Sequence, residues 1–186
     1  TLGTTGNLAI NEAVVVGSTN LTVQGGNVTA VGSSYLEGMI NANVASGDFQ
    51  LRNDATTKLG NISAVNANIT GTYEGGITQE TGTQLNVGNL TLGTLNRNAV
   101  LTEANNITGT VTANVGSAAL SITNNGTLTL GDTTAGNVTL NTSLANAYIE
   151  ASANNNITGV ISANAGSNFI YITNNGNTKL GDIIVT

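Results

Sequence analysis

Apolar and small polar residues alternate in short runs that return about every ten positions along the chain: Leu8-Ala9-Ile10, Leu21-Thr22-Val23, Val28-Thr29-Ala30, Leu90-Thr91-Leu92, Val111-Thr112-Ala113, Leu120-Ser121-Ile122, Leu128-Thr129-Leu130, Val138-Thr139-Leu140 and Ile170-Tyr171-Ile172. A period of two, bounded by Gly and Asn, marks strands whose alternate side chains face opposite sides, separated by turns. Nowhere do apolar residues hold the i, i+3, i+4, i+7 spacing of an amphipathic helix, so essentially no helix is expected.

The runs are themselves repeated. Asn106–Asp132, NITGTVTANVGSAALSITNNGTLTLGD, returns 50 residues on as NITGVISANAGSNFIYITNNGNTKLGD at Asn156–Asp182, with 16 of 27 positions identical and no gap. A fainter copy, Tyr35–Asn61, lies 71 residues upstream and keeps 9 of the 27, among them Gly38, Ala42, Asn43, Val44, Asn53, Leu59 and Gly60. Short strands at this spacing fit an antiparallel β-sandwich or a parallel solenoid, and the repeat arithmetic favours the solenoid. If homologous segments return to one face, the shorter separation holds two coils of about 25 residues and the longer one three of about 24. The difference of 21 is then one coil gained or lost, near Gly75–Leu95. The expected fold is all-β, a parallel β-helix with coils of about 21–25 residues, the antiparallel sandwich being the alternative. Residues 1–186 read as a single β-helical segment of a longer protein, of about eight coils and ~40 Å, carrying repeat copies at 35–61, 106–132 and 156–182. On this arithmetic Ile122 and Ile172 share a face, and the Asn-Asn-Gly corners at Asn124–Gly126 and Asn174–Gly176 stack.

Composition removes the competing classes. Asn and Thr are the commonest residues, Gly adds a further 24, and only 8% of the chain is charged. Disordered chains combine few hydrophobic residues with many charges; here 39% are hydrophobic and they sit in the alternating pattern. The net charge of −6 is scattered, and Arg52, Lys58, Arg97 and Lys179 are too few for the basic stripe that a phosphate backbone requires, so no nucleic-acid partner is expected. No apolar run is long enough to span a membrane, so no membrane insertion is expected. With no Cys there is no disulfide scaffold and no thiolate metal site. The few rings, four Tyr and two Phe, suit a narrow interior of small and branched side chains. Asn follows Gly where strands begin (Gly6-Asn7, Gly26-Asn27, Gly60-Asn61, Gly88-Asn89, Gly136-Asn137). At a corner Asn tolerates left-handed backbone and can bond its neighbour in the next coil.

The order of motifs then resembles a known family. Leu-Gly-Asp/Asn is followed by the Gly-Asn-Val-Thr-Leu strand, by GGITQETGTQLNVGNLTLGTL, by ANNITGTVTANVGSAALSITN and again by LTLGD. This series is similar to the repeats of filamentous-haemagglutinin-like adhesins, large bacterial exoproteins of two-partner secretion, over about Leu59–Asp182 and more loosely over Thr1–Gly60. The resemblance implies a right-handed parallel β-helix serving as the shaft of a secreted or surface fibre, and it brings no catalytic, cofactor-binding or metal residue with it. The Asn-Pro-Asn-Gly stretch of the family's secretion domain is missing, which places the chain in the repeat region.

Candidate chemistry is sparse. Without His or Cys there is no imidazole base, thiolate nucleophile or Ser-His relay. Arg52, Asp54 and Lys58 form the nearest local charge cluster, read as a solvated edge; Glu74 and Glu80 flank the extra coil and face solvent. Asp132 and Asp182 share a repeat position with Asn61 and read as corner hydrogen-bond acceptors, since the spaced acidic ligands of a calcium-binding repeat are missing. Asn-x-Ser/Thr sequons include Asn20, Asn27, Asn61, Asn68, Asn89, Asn106, Asn137 and Asn156. Thr110/Thr112 and Thr127/Thr129 resemble an ice-binding ladder, but the next copy breaks it with Val160/Ser162 and Asn177/Lys179. Tyr35, Tyr73, Tyr148, Tyr171, Phe49 and Phe169 are the rings available to stack on sugars; Tyr171 should point to solvent, opposite Ile172. The expectation is thus a non-enzymatic shaft, secreted or at the bacterial surface, with no cofactor. Its partners would be the flanking repeats, surface glycans, or copies of itself joined through the coil ends. The alternatives are a self-polymerising matrix or sheath subunit and a carbohydrate-active β-helix enzyme.

Overall fold

The computed structural model describes residues 1–72, 75–166 and 168–185. Within them lie twenty strands and no helix. Every strand pairing is parallel. The chain is a parallel β-solenoid, and the antiparallel sandwich is excluded.

The pairing registers align inward-facing residues into columns along the axis. One column runs Leu8, Val28, Phe49, Ala67, Leu90, Val111, Leu130, Ala151 and Ile172. Another runs Thr19, Ile40, Leu59, Gln79, Leu101, Ile122, Leu140, Ala163 and Ile183. Each column has nine rungs. The first takes eight steps from Leu8 to Ile172, so one coil holds roughly 20 residues, at the short end for a solenoid repeat. Nine rungs at roughly 4.8 Å make a rod of about 40 Å.

The interior is an aliphatic stack of Leu, Ile, Val and Ala in which Phe49 is fully buried. Burying each large aliphatic side chain contributes roughly 1.5–3 kcal/mol. The columns alternate size where they must: the Phe49 ring is followed by Ala67, then by Leu90. Coil length is absorbed at corners. Between the column of Leu101 and the next one inward, Ile122 to Asn124 takes two residues and Leu101 to Asn105 four. In the coil above, the chain takes six from Gln79 to Leu85, through the turn at residues 80–84.

This geometry corrects the repeat arithmetic. Ile122 stacks between Leu101 and Leu140, whereas Ile172 continues the column of Ala151. The two do not share a face, nor do the two Asn-Asn-Gly corners stack: Asn124 lies between Asn105 and Thr142. At the observed coil length, the two close copies lie roughly two and a half coils apart and the fainter one roughly three and a half coils away. Only the difference between those separations is a whole coil. Gly75–Leu95 is one coil among the nine. Homologous segments can land on different faces because every face presents the same chemistry, aliphatic inside and polar outside. What recurs is local. Asn53, Asn124 and Asn174 each accept the backbone N–H of the residue 17 positions earlier (Leu36, Ile107 and Ile157), every one at 2.8 Å. Each donates Nδ2 back to that residue's carbonyl, at 3.0, 3.0 and 2.9 Å. The coil before has spent four residues where this one spends two, as in Ala30 to Ser34 against Leu51 to Asn53. The side-chain amide takes over the backbone rung lost in the bulge.

Candidate functional site

The residues singled out from the sequence are spread along the rod. Arg52 pairs with Asp54 at 3.6 Å, Asp54 also accepts the Thr72 hydroxyl, and Lys58 turns instead to Glu80 one coil on. The local charge cluster is therefore two separate ion pairs, and Glu80 is half-buried in one of them. Tyr73 and Glu74 lie outside the described residues. Asp132 accepts the Asn154 N–H at 3.1 Å and Asn61 accepts the Gln84 N–H at 2.9 Å, the corner role expected of that repeat position; Asp182 is exposed on the last coil. Among the described residues no three carboxylates come together as a metal site would need. Thr110 does lie beside Thr129, but that column goes on to Glu150 and Tyr171, so the threonine ladder ends after two rungs.

The rings separate into two roles. Phe49 is core, and Tyr171 is 52% exposed, opposite Ile172 as expected. Tyr148 and Phe169 stack with centroids 4.5 Å apart and planes 16° from parallel. Alignment of repeat copies hides this pair, because it is separated by one coil and not by one repeat.

All eight named sequon asparagines are exposed. Six of them are tied into ladders. Asn27 N–H donates to Asn7 Oδ1, Asp48 N–H to Asn27 Oδ1, and Asn66 Nδ2 to Asp48 Oδ1, at 2.9 Å each. Asn89 continues the line by donating to Asn66 Oδ1 and accepting the Thr110 N–H; Asn137 accepts Val160 N–H in the same manner. These are the ladders that Asn at the start of strands foretold.

A second ladder borders an open cleft. Asn41 Nδ2 donates to Asn20 Oδ1 at 2.8 Å, Asn61 N–H to Asn41 Oδ1 at 2.8 Å, and Gln84 N–H to Asn61 Oδ1 at 2.9 Å. Gln84 Nε2 is held in turn by the Ala104 carbonyl, also at 2.8 Å. Two residues along the same strands, Thr22, Asn43, Ser63 and Asn86 form the adjoining outward column. Together they bound an open cleft of about 660 Å³ on the outer wall, with Met39 half-buried at its side and no charged residue in its lining. The linear pattern does not single out this cleft. Asn and Thr look alike everywhere in this chain, and only the coil register shows which of them become neighbours.

Compared with protein-family models, curated proteins and solved structures, the chain matches none. What the site can do is read from its chemistry. It offers arrays of amides and hydroxyls, and the ion pairs among the described residues are the two already named.

Proposed function

We propose that this chain is a non-enzymatic structural segment of a secreted or surface-attached bacterial adhesin, the shaft that holds a distal domain away from the cell. The observation that carries this reading is the unbroken run of nine rungs in which the same aliphatic columns continue from coil to coil. A quasi-one-dimensional stack whose hydrogen bonds lie along its axis suits a load-bearing spacer, since each coil contacts only its neighbours and length is added without redesign. The family resemblance of the Gly-Gly-Ile-Thr-Gln and Asn-Asn-Ile-Thr-Gly-Thr-Val stretches supports the adhesin assignment and the export route.

The test is location and activity together. Protease treatment of intact cells that make the full-length protein should release fragments of this segment, and antibodies against it should label unbroken cells. A segment that stays protected until lysis rejects the surface assignment. Turnover of acidic or neutral polysaccharides by the purified chain would reject the non-enzymatic reading. Uniform filaments at low concentration would favour the polymerising subunit over a passive shaft.

A further inference from the structure

We infer that the cleft bordered by Asn20, Asn41, Asn61 and Gln84 is a binding site for a linear, uncharged oligosaccharide lying along the rod axis. Three properties of the cleft carry this.

The polar groups of its first column are fixed in advance, and both columns still have capacity. In the first column Asn41 is held through both amide atoms and Asn20, Asn61 and Gln84 through one, while Asn20 Nδ2, Asn61 Nδ2 and Gln84 Oε1 make no bond to the described residues. In the second column the side chains of Thr22, Asn43 and Ser63 make none, and Asn86 uses only Oδ1, accepting from Asn106 Nδ2 at 2.7 Å. Groups held in place by their own ladder lose little conformational freedom when a ligand arrives, so more of each hydrogen bond appears as affinity.

Its chemistry selects the ligand class. Amides and hydroxyls both donate and accept, which matches the hydroxyls of a sugar. With no Lys or Arg in the lining, and a chain of net charge −6, nothing compensates a sulfate, phosphate or carboxylate. The half-buried Met39 adds an apolar strip against which the C–H face of a ring can lie.

Its geometry selects shape. The two columns cross four coils, about 14 Å at roughly 4.8 Å per strand, so the polar groups recur at a fixed interval suited to a repeating polymer. An extended peptide is recognised by pairing with a free strand edge. Here the backbone groups of the floor are already paired coil to coil, and only side chains face the cleft.

The inference stands apart from the shaft reading: a shaft with an empty cleft would still be exposed on cells. The test is calorimetric titration of the full chain with neutral tetrasaccharides (cellotetraose, maltotetraose, mannotetraose), with a sulfated tetrasaccharide and a polyserine peptide alongside. NMR would follow the side-chain amide resonances of Asn43, Asn86 and Gln84. At least one neutral sugar should bind and shift those resonances. The double variant Asn43→Ala/Asn86→Ala should weaken it tenfold or more at an unchanged unfolding midpoint, while Thr91→Ala, in the outward column of Asn68 and Thr112 on another face, should leave it alone. Absence of binding by every neutral sugar at millimolar concentration overturns the site. So does affinity that survives the double variant, or a preference for the sulfated sugar or the peptide.

Discussion

At the scale of the residue, the decisive side chains are buried asparagines. Asn53, Asn105, Asn124 and Asn155 are wholly removed from solvent, in a chain whose other asparagines are mostly outside. Asn124 accepts from Ile107 N–H and donates to the carbonyls of Ile107, Gly126 and Thr127. Asn105 is satisfied differently, through a reciprocal amide pair with Gln79 at 2.8 and 3.1 Å and the Leu85 N–H at 2.8 Å. Replacing Asn124 by Leu keeps the branched shape but orphans buried backbone groups, each costing about 1–3 kcal/mol. Asn124→Leu should therefore destabilise the chain by about 2–4 kcal/mol in urea titration. Asn155 differs, because its Oδ1 is buried without a partner and only Nδ2 is used. Asn155→Leu removes one unsatisfied atom along with the bonds, so its loss should be the smaller of the two. Gly76 is a third fixed point. Its φ is +69° and a Cβ there would overlap the Asn98 carbonyl, so Gly76→Ala should lower the unfolding midpoint, by more than the roughly 1 kcal/mol of an ordinary strained glycine site.

At the scale of the element, strands are specified by the column above and below them. Phe49 fits because the next rung is Ala67, reached by the shortest step in that column. Phe49→Ala alone should cost about 3–5 kcal/mol through lost contacts and a cavity. Ala67→Leu alone should cost about 1–3 kcal/mol by overpacking against the ring. The pair Phe49→Leu and Ala67→Val should cost less than the sum of its parts. A double-mutant cycle should show a coupling of about 0.5 kcal/mol or more. Strict additivity would mean that the two rungs do not share space. The corners follow the same logic. Wherever one coil spends four residues on a corner and the next spends two, an Asn is present to take the unpaired backbone.

At the scale of the whole molecule, stability is a sum over neighbouring coils and owes little to charge. Arg52–Asp54 and Lys58–Glu80 are partly exposed pairs at the surface, of the kind worth at most about 1 kcal/mol, and salt screens them. Raising sodium chloride from dilute buffer to about 1 M should shift the urea midpoint little, and a large fall would show that the ion pairs matter more than the stack. Coil modularity makes a sharper prediction. Deleting residues 90–110, so that Asn89 is joined to Val111, removes one coil and restores each column one rung down. That variant should keep a cooperative β-sheet unfolding transition with a lower midpoint, whereas deleting residues 101–110 puts polar residues into the columns and should abolish it.

The alternation of Leu8-Ala9-Ile10 and its successors determined by itself that the chain is all strand, because inside and outside chemistry alternate at a period only a strand can satisfy. The near-absence of charge and the ungapped copies determined that the strands repeat, and Asn after Gly foretold the corner ladders that Asn7, Asn27 and Asn89 form. The sequence did not determine how many residues close a coil. Backbone pairing closes a turn in fewer than half the positions that separate Asn106–Asp132 from its close copy, and only the parallel register decides which residues of different turns meet. Neighbours across coils are therefore invisible in the linear pattern. Tyr148 meets Phe169, Asn20 meets Asn41, Asn41 meets Asn61, and an amide-lined cleft appears where the sequence reads like every other stretch of Asn and Thr. Local alternation is a property of one strand, while adjacency is a property of the stack, set by coil length and by the corners that absorb extra residues.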